Sequence, residues 1–549
     1  MSTMPHLSIG PILRAIDSSH ALLWAELSEP CIVTVIAQKE GASALERVTA
    51  YAHTIRVGNH YFAAVLLQGL EPASWYRYTM LTSTEADGTL IPLPTEQLHY
   101  LRTLPASTSA HQLRFVYGSC RQFHPQHTDP LSLFGNWLQA HATDKEQHWP
   151  HLLLLIGDQI YADRPSASFI ERYPQFREGA HTFDDFAFLY HYAWTANEGI
   201  RQVLATLPTY MMFDDHEITN NWNTSPTWRQ EALQQGLEQT IIDGMVAYWV
   251  YQGWGNILPH LYPQHPLLRI MQEAEQSGTD CLETLRNVMR AAIYKNYELP
   301  WHYTIPTSPT IFVTNTRADR TSVLQPESDA RFAPLQIMGP QQMADLEQWL
   351  QAQTQTPALI VSSVPLLLPP LIGWFEYMAG VRGSSNNWFK KQLARFGLFL
   401  ARKGDFDHWP LYHVTWNALR QQLARRQLDT LCFSGDVHFS YAATAQESSG
   451  ARLHQLVCTP IHNSLARKHR LMIETQSYVT RASYGHLRTR ILPLQALAPS
   501  VQLKRHLLYQ DTLALVQLQT APDGRYTLTQ EYLSEVNGHL QPVAGIQLP

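Results

Sequence analysis

Apolar and polar positions change their rhythm once decisively along this chain. From about Pro11 to Thr103, short β-type runs alternate with turn signals: Ala21–Glu26, Cys31–Gln38, His60–Leu67 and Tyr76–Thr82. That spacing predicts an immunoglobulin- or fibronectin-like β-sandwich. The polar, proline-containing stretch 104–109 marks a boundary, so an N-terminal domain is expected over residues 1–105 and a second over 110–549. From Arg114 the pattern is α/β. Strand-like FVYGSC leads to helical sequence around Leu131–Ala142 and then to LLLLIGD. Phe183–Leu204 and Arg229–Trp249 read as amphipathic helices, with helical insertions expected at about 225–300 and 364–405. Ile311–Asn315, Ala358–Ser362 and Thr430–Ser434 supply further strands, and Leu513–Gln519 and Tyr526–Tyr532 are expected to complete a sheet.

Four of the apolar runs end in the same way. Leu152 to Ile156 is a continuous apolar run, the pattern of a strand buried on both faces. Gly157 ends it, and Asp158, Tyr161 and Asp163 follow. Phe115 to Cys120 ends in Gly118-Ser119-Cys120, Thr209 to Glu217 in Asp214-Asp215-His216-Glu217, and Leu431 to His438 in Gly435-Asp436-Val437-His438. Strand ends in an α/β sheet are where such folds build their sites. Carboxylates and a phenol there supply hard oxygen ligands. Together they predict a polynuclear metal centre for phosphoryl chemistry, although any one of them alone reads equally as a buried strand with an acidic turn.

Composition narrows the classes. The chain has 549 residues, 45% hydrophobic and 16% charged, which predicts a folded protein of two or three domains. A net charge of −6 argues against nucleic acid as an obligate partner. The five cysteines are scattered with no CxxC pair, which argues against a disulfide framework or zinc ribbon. On spacing alone Cys120 is an inert buried thiol. Met1 to Glu29 lacks a basic n-region, an apolar h-region and a twin arginine, so the expectation is a cytoplasmic protein, or one whose export signal was removed.

Jointly, GSC, GDQIYAD, DDHE followed by Asn220-Asn221, and GDVH resemble the alkaline phosphatase D (PhoD-like) family of metallophosphoesterases. Gly69-Leu70-Glu71-Pro72 with Trp75-Tyr76-Arg77-Tyr78, Tyr297-Glu298-Leu299-Pro300, Gly339-Pro340-Gln341 and Asp407-His408-Trp409-Pro410 follow the family's order. The resemblance implies a four-layer α/β/β/α metallophosphoesterase sandwich preceded by the N-terminal β-sandwich. It implies a phosphomonoesterase or phosphodiesterase using a metal-bound hydroxide as nucleophile, acting on a small phosphate ester. A phosphodiesterase acting on lipid head groups, or a non-catalytic phosphate-binding relative, are the alternatives.

By that resemblance Asp158 bridges two metals, while Cys120, Tyr161 and His438 bind the first, a donor set suited to Fe(III). Asp215 and Asp436 serve the second, which calcium, manganese or zinc could fill. Asp215 stands where the wider pattern has a metal-binding Asn, and Asp436 where it has a His. His216 aligns with the group that meets the leaving oxygen, as general acid or phosphoryl stabiliser. Asp163, Asp214 and Asn221 are expected to orient ligands. Arg121 is placed to meet a phosphoryl oxygen, a solvated surface arginine being the competing reading.

Two departures from the family concern substrate binding. Asn315-Thr316-Arg317 stands where relatives read Asp-Thr-Arg, and Trp301-His302 where they tend to have Leu-Arg. The apolar stretch Ala358 to Phe375 is broken by Pro365, Pro369 and Pro370, so no spanning helix is expected. Asn387–Lys403, if helical, is basic and amphipathic, suited to peripheral contact with an anionic bilayer or to a lid over the cleft; an ordinary core-packed helix competes.

Overall fold

The computed structural model describes all residues except 1–4, 44–45, 84–90, 93–98, 107–111, 125–127, 225, 296–297, 323–334, 384–406, 447–449 and 522. The N-terminal runs form strands because alternate side chains can be buried on one face. In Ile32–Lys39, Val33, Val35 and Ala37 are fully buried between half-buried neighbours. Leu7–Ile16, His20–Leu27, His60–Gln68 and Ile55–Val57 pair in that order as one sheet. Arg47–His53, Ile32–Lys39, Trp75–Ser83 and Ile91–Pro92 make a second, with His99–Arg102 also paired to Trp75–Ser83. One apolar cluster, including Leu13, Leu23, Val33, Val65 and Tyr78, draws on both sheets.

Beyond it the protein is mixed α/β with two large sheets. The first has seven strands in the order Thr209–Met212, Leu152–Ile156, Gln112–Gly118, Leu513–Thr520, Tyr526–Val536, His539–Leu548 and Gln495–Ala496. Its first three strands are parallel, and the C-terminal strands complete it antiparallel. The second has eight: Tyr303–Ile305, Ile311–Val313, Ala358–Val361, Thr430–Ser434, Arg452–Val457, Tyr441–Gln446, Leu487–Leu492 and Arg481–Tyr484.

Side-chain alternation decides how these sheets pack. Phe115, Tyr117, Leu154 and Ile156 of the first share a core cluster with Val313, Val361, Leu431 and Phe433 of the second. The Phe433 ring lies 5.0 Å from Phe115 and 5.5 Å from Tyr117, edge to face. The intervening residues Val116, Leu153 and Leu155 pack with Phe134, Leu138, Trp194 and Leu204. Phe312, Ile360 and Cys432 pack with Leu346, Leu350, Trp416 and Leu419. The five residues Leu152–Ile156 are all buried, as two-sided burial of a continuous apolar run requires.

Three expectations change in detail. Phe183–Leu204 is two helices, Phe183–Thr195 and Glu198–Thr206, because the Asn197 side chain accepts the Gly199 N–H and starts the second. Arg229–Trp249 likewise splits into Pro226–Gln234 and Glu238–Tyr248 around Gly236, whose φ of 74° a helix cannot contain. The insertion expected to be helical over 364–405 instead begins with Leu366, Leu367 and Leu368 buried in the core, and Pro370 opens the helix Pro370–Gly383. The basic stretch Asn387–Lys403 lies outside the described residues. Among the described residues, no helix is long and apolar enough to cross a membrane.

The N-terminal region braces the edge strand that leads to Asp214. The Ile16 N–H donates to the Tyr210 hydroxyl at 2.9 Å, and Arg14 donates to the Gln252 carbonyl (2.5 Å) and Asn256 Oδ1 (3.0 Å). The Asn256 amide takes up the edge of that strand, accepting the Met211 N–H at 2.8 Å and donating to the Met211 carbonyl at 2.6 Å. A strand edge buried without such partners would leave costly unmet hydrogen bonds.

Candidate metal centre

The four motif-bearing strand ends are divided between the sheets. GSC, GDQ and DDHE leave adjacent parallel strands of the first sheet, and GDVH leaves the second. Their chains turn through left-handed backbone at residues other than glycine: Cys120 (φ 57°), Asp158 (54°), Asn221 (58°), Asp436 (69°) and His438 (60°). Such conformations each cost on the order of 1–3 kcal/mol and persist only where the surroundings fix them. Here the fixing is visible. The Cys120 N–H donates to the Gly157 carbonyl at 3.1 Å and the Arg121 N–H to the Asp158 carbonyl at 2.8 Å. Gly157, at φ 111°, faces Asp214 so closely that a Cβ would sit 2.8 Å from the Asp214 Cβ.

A buried carboxylate not singled out in the sequence joins two of these loops. Glu217 accepts the N–H groups of Asp158 (3.0 Å), Gln159 (2.7 Å) and Asp214 (2.8 Å). Its place as the last residue of DDHE was the available signal.

Donor atoms gather around Asp158. Its Oδ2 lies 3.5 Å from Cys120 Sγ and 3.3 Å from the Tyr161 hydroxyl, while Oδ1 accepts the His216 N–H at 3.2 Å. Asp158, Asp215 and His216 form one group of ligand atoms within 4.8 Å of each other, and Asp214, Asp215 and Asp436 form another. Asp215 is common to both, and its Oδ2 accepts the Asn221 N–H at 2.5 Å. His438 follows Asp436 on the same turn and directs Nδ1 to the Asn463 carbonyl at 2.8 Å, which puts its lone pair on Nε2. His216 is held the same way: Nδ1 is 2.8 Å from Asp163 Oδ1, and its ring stacks on Tyr161 at 4.5 Å.

The electrostatics show which charges lack compensation. Burial pushes the Asp158 and Asp214 carboxyls well above the ordinary range, with Cys120 adding to this at Asp158 and Arg317 opposing it at Asp214. Burial acts the same way on Asp215 and Asp436 but is outweighed, by Arg317 and His216 at the first and by His408 and Arg317 at the second, so both are held low. Burial, followed by Asp436, pushes the Cys120 thiol up to about 12. At His216 burial pulls down, but Asp215, Asp163 and Asp158 raise the imidazole to about 10. Asp214 Oδ2 is buried with no hydrogen-bond partner among the described residues. A pocket of buried acids with a thiol, a phenol and an orphaned carboxylate oxygen fits metal cations and is costly without them.

Arg121 is the exception among the expected residues. Its guanidinium is buried, donating to Asp129 at 2.8 Å and to the Ala193 carbonyl at 2.9 Å, because Asp129 caps the helix Pro130–Ala140 directly behind it. It is therefore turned into the fold rather than toward a phosphoryl group. The arginine that reaches the carboxylates is Arg317. It pairs with Asp214 through Nε and with Asp407 through Nη1 at 2.8 Å, and its Nη2 lies 3.7 Å from Asp215 and 3.9 Å from Asp436. A second support is His408, 2.9 Å from Asp436 and 2.6 Å from the buried Glu376. His408 sits in a stretch that follows the family's order, Asp407-His408-Trp409, and Arg317 in one noted as a departure from it, Asn315-Thr316-Arg317. Nothing in their spacing to the metal motifs foretold the contact.

Comparison with known proteins bears on the family and the fold. Residues 115–490 match the PhoD-like phosphatase family, and residues 4–99 match a domain of unknown function, DUF7800. A solved structure of PhoD superposes with a TM-score of 0.62 at 15% identity, covering 100% of this chain and 91% of that one. The sensor domain of the anti-sigma factor RsgI4 from Pseudobacteroides cellulosolvens, at 12% identity over 20% of this chain and 96% of that one, reaches a TM-score of only 0.14 and carries no argument. A search among curated proteins finds no match. With a family match spanning most of the α/β region and a shared fold over the whole chain, this protein belongs to the PhoD-like phosphatase family.

Proposed function

We propose that this protein hydrolyses phosphoric mono- or diesters with a metal centre held by Cys120, Asp158, Tyr161, Asp215, Asp436 and His438. The observation that carries the reading is the carboxylate of Asp158. One oxygen faces Cys120 Sγ and the Tyr161 hydroxyl within 3.5 Å, and the side chain also groups with Asp215 and His216. That is the disposition of a ligand shared between two ions. The sulfur and phenol donors suit Fe(III), and the carboxylates of Asp215 and Asp436 suit calcium, with manganese or zinc as substitutes. Bound there, such ions neutralise the phosphoryl oxygens and acidify a water to serve as nucleophile.

The chain's own groups do the rest. His216 keeps Nδ1–H on Asp163, leaving Nε2 as the atom that delivers a proton to the departing oxygen. Asp163, which is not among the proposed ligands, favours the protonated ring. Arg317 holds Asp214 and Asp407 and offsets part of the carboxylate charge. Ser119 is buried between the strand ends and is read as a positioning residue, not a nucleophile. The two large sheets, with helices on their outer faces, are read as a four-layer α/β/β/α sandwich, and the N-terminal pair as an immunoglobulin-like module ending near residue 105.

Metal analysis of the purified protein, with a panel of phosphate mono- and diesters, tests this. Expected are at least two tightly bound ions, an iron–phenolate band in visible light, and turnover abolished by chelation and restored by metal. Hydrolysis that survives complete metal removal would sink the reading.

A further inference from the structure

A second set of metal-competent side chains lies on the turn joining the first two strands. In Asp17-Ser18-Ser19-His20 the Asp17 N–H donates to the His20 carbonyl at 3.0 Å and closes the hairpin. Asp17 Oδ1 accepts the N–H groups of Ser19 (2.6 Å) and His20 (2.7 Å), which fixes the carboxylate plane. Its other oxygen, Oδ2, is thereby presented to two imidazoles: His20 Nδ1 at 3.0 Å and His260 Nε2 at 3.1 Å. The two rings stack with centroids 4.0 Å apart.

His260 arrives from a distant part of the chain. Its turn is closed by Leu261 N–H to Leu258 O at 2.9 Å and Tyr262 N–H to Pro259 O at 3.2 Å. That turn follows Asn256, which is pinned to Met211. Three donor atoms on two independently fixed turns therefore lie within 4.8 Å of one another. Because Nδ1 of His20 also lies 3.0 Å from the Ser19 hydroxyl and 3.1 Å from Asp17 Oδ1, a single ring proton there would be shared among three acceptors. A cation satisfies the same convergence without that competition.

The two carboxylate-to-imidazole distances suit one ion class. Tetrahedral zinc, about 2.0–2.2 Å from each nitrogen or oxygen ligand, spaces its donors about 3.3 Å apart. Two imidazole nitrogens and one carboxylate make a borderline donor set, favouring zinc-like ions over calcium or magnesium. The backbone N–H bonds to Oδ1 are the kind of outer contact that orients a metal-binding carboxylate. The side chains of His20, Asp17 and His260 are 22%, 15% and 35% exposed, so an ion has a path in and water can complete its shell.

We propose that Asp17, His20 and His260 form a separate, partly exposed site for a zinc-class divalent cation, tying the first hairpin to the turn after Asn256. The site does not depend on the metal centre or on the proposed hydrolysis. The test is calorimetric titration of the holoenzyme with Zn²⁺, together with its thermal midpoint, for wild type, His260→Ala and His20→Ala. His260 is the most exposed of the three, so its variant keeps the fold. Expected is one Zn²⁺ beyond those already held by wild type, bound at least tenfold more weakly by either variant, with a zinc-induced rise in midpoint confined to wild type. No additional Zn²⁺ in wild type, or equal uptake by all three proteins, overturns the proposal.

Discussion

Gly435 meets Ser119 across the two sheets: a Cβ on Gly435 would lie 2.0 Å from the Ser119 hydroxyl oxygen and 2.4 Å from its Cβ. The same hydroxyl accepts the Asp436 N–H at 3.1 Å and lies 3.2 Å from Cys120 Sγ. Two strand ends from different sheets are thus locked by a contact that only glycine permits. Gly435→Ala is expected to cost about 1–3 kcal/mol through overpacking and to displace Asp436. Ser119→Gly should partly restore stability and activity in that background and Ser119→Ala should not, because the clash includes the serine Cβ. Equal rescue by both would argue against this packing account.

His216 and Asp163 give a leaving-group test. His216→Ala is expected to slow esters with poor leaving groups by about 10²–10⁴-fold while sparing those with good ones. Asp163→Asn, which disturbs the tautomer and ring orientation and removes a charge that favours the protonated ring, should cost about 10–100-fold with the same leaving-group bias. Uniform losses across the ester series would remove His216 from the role of acid.

Arg317 balances buried carboxylates on four sides. Replacing it with methionine strands Asp214, while Asp407 keeps Arg320 at 2.6 Å, and breaking such a buried pair typically costs about 3–5 kcal/mol. Thermal unfolding is expected to show that loss, with Arg317→Lys intermediate because ammonium cannot span both partners. Excess divalent metal should recover part of the stability in the methionine variant. A midpoint unchanged by the substitution would show that the carboxylates are compensated elsewhere.

Two buried histidines away from the centre set an acid limit. Burial pushes His99 down to about 4, and burial with Arg102 and Arg114 pushes His151 down to about 3. Both are bases whose folded pKa lies below the unfolded value of about 6.5. Their contribution is therefore complete above that value and is lost as pH falls toward 4 and then 3. The midpoint is expected to drop through this window, and His99→Gln should flatten the upper part of the fall. A slope identical in wild type and variant would place the acid sensitivity in other groups.

Much of this molecule could be read from local pattern. Leu152 to Ile156 announces a strand buried on both faces, and the alternation of Val33, Val35 and Ala37 announces one buried on a single face, because those periods are properties of a few consecutive residues. The cluster around Asp158 was legible for a related reason. Each strand end carries its own donors within a short segment, three of the four behind a glycine, so Cys120, Asp158, Tyr161, Asp215 and Asp436 could be named one strand end at a time. Helix breaks were less legible: Asn197 and Gly236 interrupt apolar patterns that continue across them.

What the sequence determined by itself is the set of strand ends and the kinds of donor each carries, because the chain's local period and its glycines dictate where a strand stops. Which side chains then face one another only the tertiary structure decided. Arg121, next in sequence to Cys120, turns away to Asp129, while Arg317, from the loop after strand Ile311–Val313 of the other sheet, reaches Asp214 and Asp407. Helix Pro370–Gly383 delivers Glu376 to His408, and His408 to Asp436. These pairings depend on two sheets closing over a shared core of Phe115, Tyr117 and Phe433. Packing of that kind is a sum over distant residues, and no window of neighbouring residues contains it.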